Sequence, residues 1–140
     1  MAFSLAAIRT GLAGVIQPVI QGEWYDYAPD NPVTPCAIPY VGDIDYHQAF
    51  GKGLLTVPIQ IAVLEASVVT DEAQRSLDLY LSSGTDQDRS LIDALQHSTL
   101  GGACQELHVL GTEAYGEVSM GDERRFFGVI LNTVVYCDRK

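Results

Sequence analysis

Glu123-Arg-Arg-Phe-Phe-Gly-Val-Ile-Leu-Asn-Thr-Val-Val-Tyr-Cys137 is the stretch that decides the fold. In an extended chain, Phe127, Val129, Leu131 and Val135 take one face, while Phe126, Ile130, Val134 and Tyr136 take the other. Both faces are apolar, so this strand belongs inside a sheet or at an interface. Gln105 to Ser119 reads as its partner, with Met120-Gly-Asp122 as a turn suited to a hairpin. Leu54 to Ser67 is a second long strand, with Val57, Ile59, Ile61 and Val63 on one side. Its other side, Thr56, Pro58, Gln60, Ala62 and Leu64, is not polar enough for open solvent and calls for a covering element or another subunit.

Helical signals lie between and before these strands. Ala73, Leu77, Tyr80 and Leu81 form one stripe behind Thr70-Asp-Glu72, an N-cap with an acidic first turn. After Ser82-Ser-Gly-Thr-Asp-Gln87, Asp88 is the expected cap of a shorter helix through Leu91, Ile92, Leu95 and Gln96, and Gly101-Gly102 turns the chain back toward the sheet. Phe3 to Ile16 has helical spacing with Ser4 as N-cap, and Pro18 is expected to end it. Glu23-Trp-Tyr-Asp-Tyr27 favours a short strand, followed by a Pro-punctuated loop to Pro35. Cys36 to Val41 reads as an edge strand interrupted by Pro39, and Gly42 to Gly53 as a loop. This order predicts one α+β domain over residues 1–140: a mostly antiparallel sheet with a long C-terminal hairpin, packed by two or three helices.

At 140 residues, 47% of them hydrophobic, the chain has the size and apolar surface for a single core. No run approaches the ~20 apolar residues needed to span a bilayer, and Met1 to Thr10 lacks the pattern of a secretory leader, so no membrane partner is expected. Cys36, Cys104 and Cys137 are odd in number and far apart, which suits buried thiols better than a disulfide framework or a metal knuckle. A net charge of −10 argues against proteins that hold DNA or anionic lipid, and permits a surface past which nucleic acid slides. Between Thr10 and Gly51 there is no Lys or Arg, whereas Glu23, Asp26, Asp30, Asp43 and Asp45 are acidic. Both a solvated loop region and a functional electronegative surface fit that asymmetry.

Motifs for chemistry are sparse. Asp43-Ile-Asp45-Tyr-His47 alternates possible metal ligands, but three donors without an EF-hand pattern read as a polar loop. Neither His47, His97 nor His108 belongs to a recognisable nucleophile or zinc motif, and surface or capping roles suit them better. Gly51-Lys-Gly53 precedes a strand where phosphate binding needs a helix, and Asp86 and Asp88 sit at expected caps. The expectation is a protein without cofactor, metal or catalytic set. Trp24, Tyr25, Tyr27, Tyr40, Tyr46 and Phe50 cluster in the first fifty residues, which fits core packing or a protein-contact surface.

Taken in order, Trp24-Tyr-Asp-Tyr-Ala-Pro-Asp30, the strand Leu54 to Ser67, the helix Glu72 to Leu81, Ser98-Thr-Leu-Gly-Gly102 and Gly128 to Val135 resemble the tail terminator proteins of long, non-contractile-tailed bacteriophages, especially those of actinobacteria. The resemblance spans nearly the whole chain, Thr34 to Gly53 excepted. It implies a virion protein, made in the host cytoplasm, that forms a homohexameric ring on the tail tube, ends tube growth and meets the stopper or connector proteins of the neck, with DNA passing through the centre. On that reading Trp24, Tyr25, Asp26, Tyr27 and Asp30, with Asp43, Asp45, Tyr46 and Phe50, are candidate ring or neck contacts, and Arg124 and Arg125 at a hairpin tip reach an adjacent ring. Alternatives are a stopper protein on the head side of the joint, a small monomeric binding module, and a hydrolase or isomerase built on Asp43, Asp45 and His47.

Overall fold

A computed structural model describes residues 4–44, 54–83, 90–120 and 124–138. Its strands, β1 (Glu23–Trp24), β2 (Cys36–Val41), β3 (Leu54–Ala66), β4 (Glu106–Glu113), β5 (Val118–Met120) and β6 (Arg124–Asp138), form one sheet in the order β1-β2-β3-β6-β4, with β5 also pairing β6. The pairing of β3 (Leu54–Ala66) with β6 (Arg124–Asp138) is antiparallel and forms the middle of the sheet, matching Val57 with Val135, Ile61 with Leu131 and Val63 with Val129. The doubly apolar strand is therefore interior, as its composition demands. β2 (Cys36–Val41) flanks β3, and β4 (Glu106–Glu113) flanks β6, both antiparallel. The two-residue β1 (Glu23–Trp24) joins the outer side of β2 in parallel. All told, this is the α+β domain with a long C-terminal hairpin that the pattern predicts.

Among the described residues, three helices cover one face. α1 (Leu5–Ile20) starts where the Ser4 hydroxyl accepts the Ala7 N–H at 3.2 Å, and buries Ile8, Leu12, Ile16, Val19 and Ile20. α2 (Asp71–Leu81) is capped by Thr70 and buries Ala73, Leu77 and Tyr80. The short α3 (Leu91–Leu95) follows, then a tight turn at Leu100–Gly102. All three pack with Val57, Ile59, Ile61, Val63, Val129, Leu131 and Val135 in one apolar cluster.

Four expectations need correction. α1 does not stop at Pro18: a helix-interior proline costs about 3 kcal/mol, but the next two residues, Val19 and Ile20, are buried in the core, worth roughly 1.5–3 kcal/mol each. The strand at Glu23 ends after Trp24 rather than Tyr27, because the Trp24 indole N–H donates to the Asp26 carboxylate at 2.6 Å and turns the chain out of the sheet. Ser90 rather than Asp88 caps α3: its hydroxyl accepts the Asp93 N–H at 3.1 Å and donates to the Ser82 carbonyl. The outer half of the closing hairpin is split into β4 and β5 (Val118–Met120) by Ala114 and Gly116, at φ 57° and 113°, although the Gly116 N–H still reaches the Gly128 carbonyl at 2.8 Å.

The opposite face divides in two. At one end Cys36, Ile38, Ala62, Leu64 and Val118 form a small second core with Tyr25, Phe126 and Ile130. Toward the other end, the rows Tyr40–Gln60–Asn132–Gly111 and Thr56–Tyr136–Glu106 cross the sheet, with Tyr40, Gln60 and Thr56 exposed.

Candidate functional site

The aromatic loop after β1 is bound to its surroundings by its own side chains. The Arg9 guanidinium lies 4.5 Å from the centre of the Tyr27 ring and donates to the Asp26 carbonyl, so α1 holds the outer turn. The Tyr25 hydroxyl accepts the Val33 N–H at 3.1 Å while its ring joins the small second core, and Arg124 at the head of β6 donates to the Asn31 side chain at 2.7 Å. Trp24 and Tyr25 are thus half-buried parts of the architecture. Among the candidates on this loop, Asp26, Tyr27 and Asp30 face solvent, Tyr27 at 69% exposure.

Other expected contacts lie elsewhere. Arg124 is joined to the aromatic loop through Asn31, whereas Arg125 faces Glu117 at 3.7 Å, both about two-thirds exposed, a geometry worth little to stability. Asp43 is exposed beyond the far end of β2, away from the aromatic loop, which meets β2 at its start. It rims a groove of about 570 Å³ with Tyr40, Pro58, Gln60, Leu110 and Asn132. Asp45, Tyr46, His47 and Phe50 lie outside the described residues.

That groove occupies the open half of the sheet. Its floor is polar at Gln60, which donates to Asn132 at 2.9 Å and to Glu113 at 3.0 Å, and apolar at its rim, where Leu110 is 68% exposed. Leu110 stands out because β4 carries a bulge between Val109 and Gly111. Both sheet edges are blunted. Pro39 offers no N–H from β2, while on the outside of β4 the Leu107 carbonyl accepts the His97 N–H at 2.8 Å and the Gln96 side chain accepts the Val109 N–H at 2.6 Å. Such edges resist indiscriminate strand addition, leaving recognition to side chains.

Where Gln96 and His97 meet β4, a cluster forms that sequence reading assigned to surface or capping roles. His97, in the left-handed region at φ 65°, brings Nδ1 onto Glu106 Oε2, and His108 Nε2 reaches the same oxygen at 3.0 Å. The bond to His97 is the main reason the Glu106 carboxyl is held below its usual range; desolvation opposes it, and the charges of His108 and His97 add to it. The His108 ring stands edge-on to His97 at 5.1 Å and to Tyr136 at 5.5 Å. Glu106 and His108 are two apart on one strand and so share a face, the one signal present in sequence. His97 arrives through a turn that no periodicity announces.

The three thiols are buried, as expected. Burial pushes Cys36 and Cys137 up to about 11, and Cys104 upward as well. Among the described residues no helix is long and apolar enough to cross a membrane. No protein family's sequence profile matches the chain, and no curated protein matches it.

Proposed function

We propose that this protein is a structural component of a bacteriophage neck, a tail terminator that closes as a homohexameric ring on the end of the tail tube. What carries the reading is the ordered set of segments from Trp24 to Val135 that resembles such proteins, set on a sheet with one face packed by helices and half of the other left open. A closed ring needs two different, complementary surfaces on each copy. The groove rimmed by Asp43, Tyr40 and Leu110 is one candidate. The other is the exposed apolar group Val68, Val69 and Tyr115 beside the β5–β6 end, at 64%, 61% and 49% exposure. Blunted sheet edges favour side-chain contacts that pair correctly over open-ended strand addition.

In mechanism the protein acts by shape. One ring face copies the joining surface of the tail tube protein and caps the tube; the other refuses another tube subunit and accepts the neck's stopper or connector. Tyr27, Asp26 and Asp30 on the aromatic loop, and Arg124 and Arg125 at the hairpin end, are the contacts assigned to those axial faces. The chain's charge of −10 suits a channel that DNA traverses without sequence-specific retention. Negative-stain electron microscopy over a concentration series, with and without purified tail tubes, tests this. Closed rings with a central hole, free or on tube ends, are the expected result; a protein that stays monomeric and leaves tube ends bare would overturn it.

A further inference from the structure

We propose that His97, Glu106 and His108 form a binding site for a divalent transition metal of the zinc class. One ring nitrogen of His97, one of His108 and a Glu106 carboxylate oxygen all lie within 4.8 Å of one another, and His97 Nδ1 and His108 Nε2 each meet Glu106 Oε2. In a tetrahedral zinc site each donor sits about 2.0–2.2 Å from the metal, so small side-chain rotations bring these three onto one ion. Two imidazoles and one carboxylate are a borderline-soft set, favouring zinc, cobalt, nickel or copper over magnesium or calcium, which take oxygen ligands. The ring nitrogens already converge on a single carboxylate oxygen, which leaves a cation between them as the natural replacement for shared protons.

Positioning is in place before any ion binds. Glu106 and His108 project from the same face of β4, whose backbone is paired with β6 at Tyr136 and Val134. His97 is held on both sides, by its own N–H to the Leu107 carbonyl at 2.8 Å and by Gln96 to the Val109 N–H at 2.6 Å. Tyr136, edge-on to His108 at 5.5 Å, limits the swing of that ring. Side-chain exposures of 64%, 40% and 35% for His97, Glu106 and His108 leave the remaining coordination position to water. Bound there, the metal clips the end of α3 to the edge strand, closing the connection that runs from His97 to Glu106. This site is independent of the ring proposal.

The test uses tag-free full-length protein stripped with a chelator, titrated calorimetrically with zinc, and separately loaded with cobalt for its visible spectrum. Saturable one-to-one zinc binding is expected, with cobalt bands of low-symmetry nitrogen and oxygen coordination and a melting temperature raised by zinc. His97→Ala, His108→Ala and Glu106→Gln should each weaken binding by about tenfold or more, while His47→Ala should not. Because all three side chains are substantially exposed, the variants should keep the wild-type circular dichroism. The proposal is overturned by an absence of saturable binding below millimolar metal. It is equally overturned by binding that survives the His97 and His108 substitutions, or by a thiolate-to-cobalt charge-transfer band placing the metal on a cysteine.

Discussion

Replacing Gly128 by Ala should destabilise the domain out of proportion to the single methyl added. Gly128 sits in β6 opposite Leu64, where β3 bulges between Leu64 and Ala66. A Cβ there would lie 2.1 Å from the Val63 carbonyl oxygen and 3.1 Å from Leu64 Cα, both backbone atoms of the central strand. Restoring an ordinary contact requires β3 to retreat by about 1 Å, because a methyl group and an oxygen repel steeply inside their van der Waals separation. The other side offers no relief, since the Gly128 carbonyl accepts the Gly116 N–H at 2.8 Å. Overpacking of this kind costs about 1–3 kcal/mol, and straining flanking ladder bonds adds about 1 kcal/mol. Alanine returns roughly 0.5–1 kcal/mol by restricting the unfolded chain. The net loss is about 1–3.5 kcal/mol, a fall of roughly 3–14 °C in melting temperature for a domain of this size. Gly14→Ala is the control. Its Cβ would meet nothing within 4 Å on the exposed side of α1, so helix propensity should stabilise it by up to about 1 kcal/mol. Thermal melts followed by circular dichroism compare the two, and a Gly128→Ala protein melting at or above wild type would refute the close approach of β6 to the β3 bulge.

Arg9→Ala removes both the stacking on Tyr27 and the bond to the Asp26 carbonyl; a loss of about 1 kcal/mol and a red-shifted Trp24 emission are expected, and an unchanged spectrum would count against the loop's attachment to α1. Cys36 and Cys137, raised from 9.0 to about 11, favour the protonated thiol in the folded state. Their contribution is fully present below the ordinary value and lost as pH climbs from 9.0 through about 11, so the urea midpoint should fall between about pH 8 and about pH 10.5. In the native protein at about pH 8, alkylation of these thiols should be orders of magnitude slower than after unfolding. Arg124→Glu with Arg125→Glu should cost less than about 1 kcal/mol yet prevent joining; tails of normal length that still attach to heads would remove the hairpin end from the contact set.

Sequence pattern reached the elements whose burial is periodic. β3 and β6 alternate through the core and α2 carries its cap and stripe in adjacent residues, so their bounds were readable locally. Pro18 misled because the residues after it are buried by strands far along the chain, a tertiary gain that outweighs a local penalty. The break at Ala114–Glu117 lies where Ala114 and Gly116 take positive φ, and only the glycine carries a sequence signal for that. For the site, the aromatic loop was legible as a cluster, but its division was not: Trp24 and Tyr25 turn inward because Asp26 and Val33 satisfy their polar atoms, and only Tyr27 and the carboxylates remain outside. His97 was beyond reach, since a residue at a helix end joins an edge strand only once the sheet exists. Glu106 and His108 share one strand face, a spacing present in the sequence, but reading the histidines as surface or capping residues passed over it.

The central claim concerns what stops a growing tube, and tail length measures it directly. Under the proposed function, interrupting this gene at Trp24 in a genome that encodes it should give, by electron microscopy, unjoined tails of uncontrolled length, restored to one length when the intact protein is supplied. Tails of normal length without it, including normal tails beside heads that leak DNA, would contradict the account and assign the protein to another position in the particle.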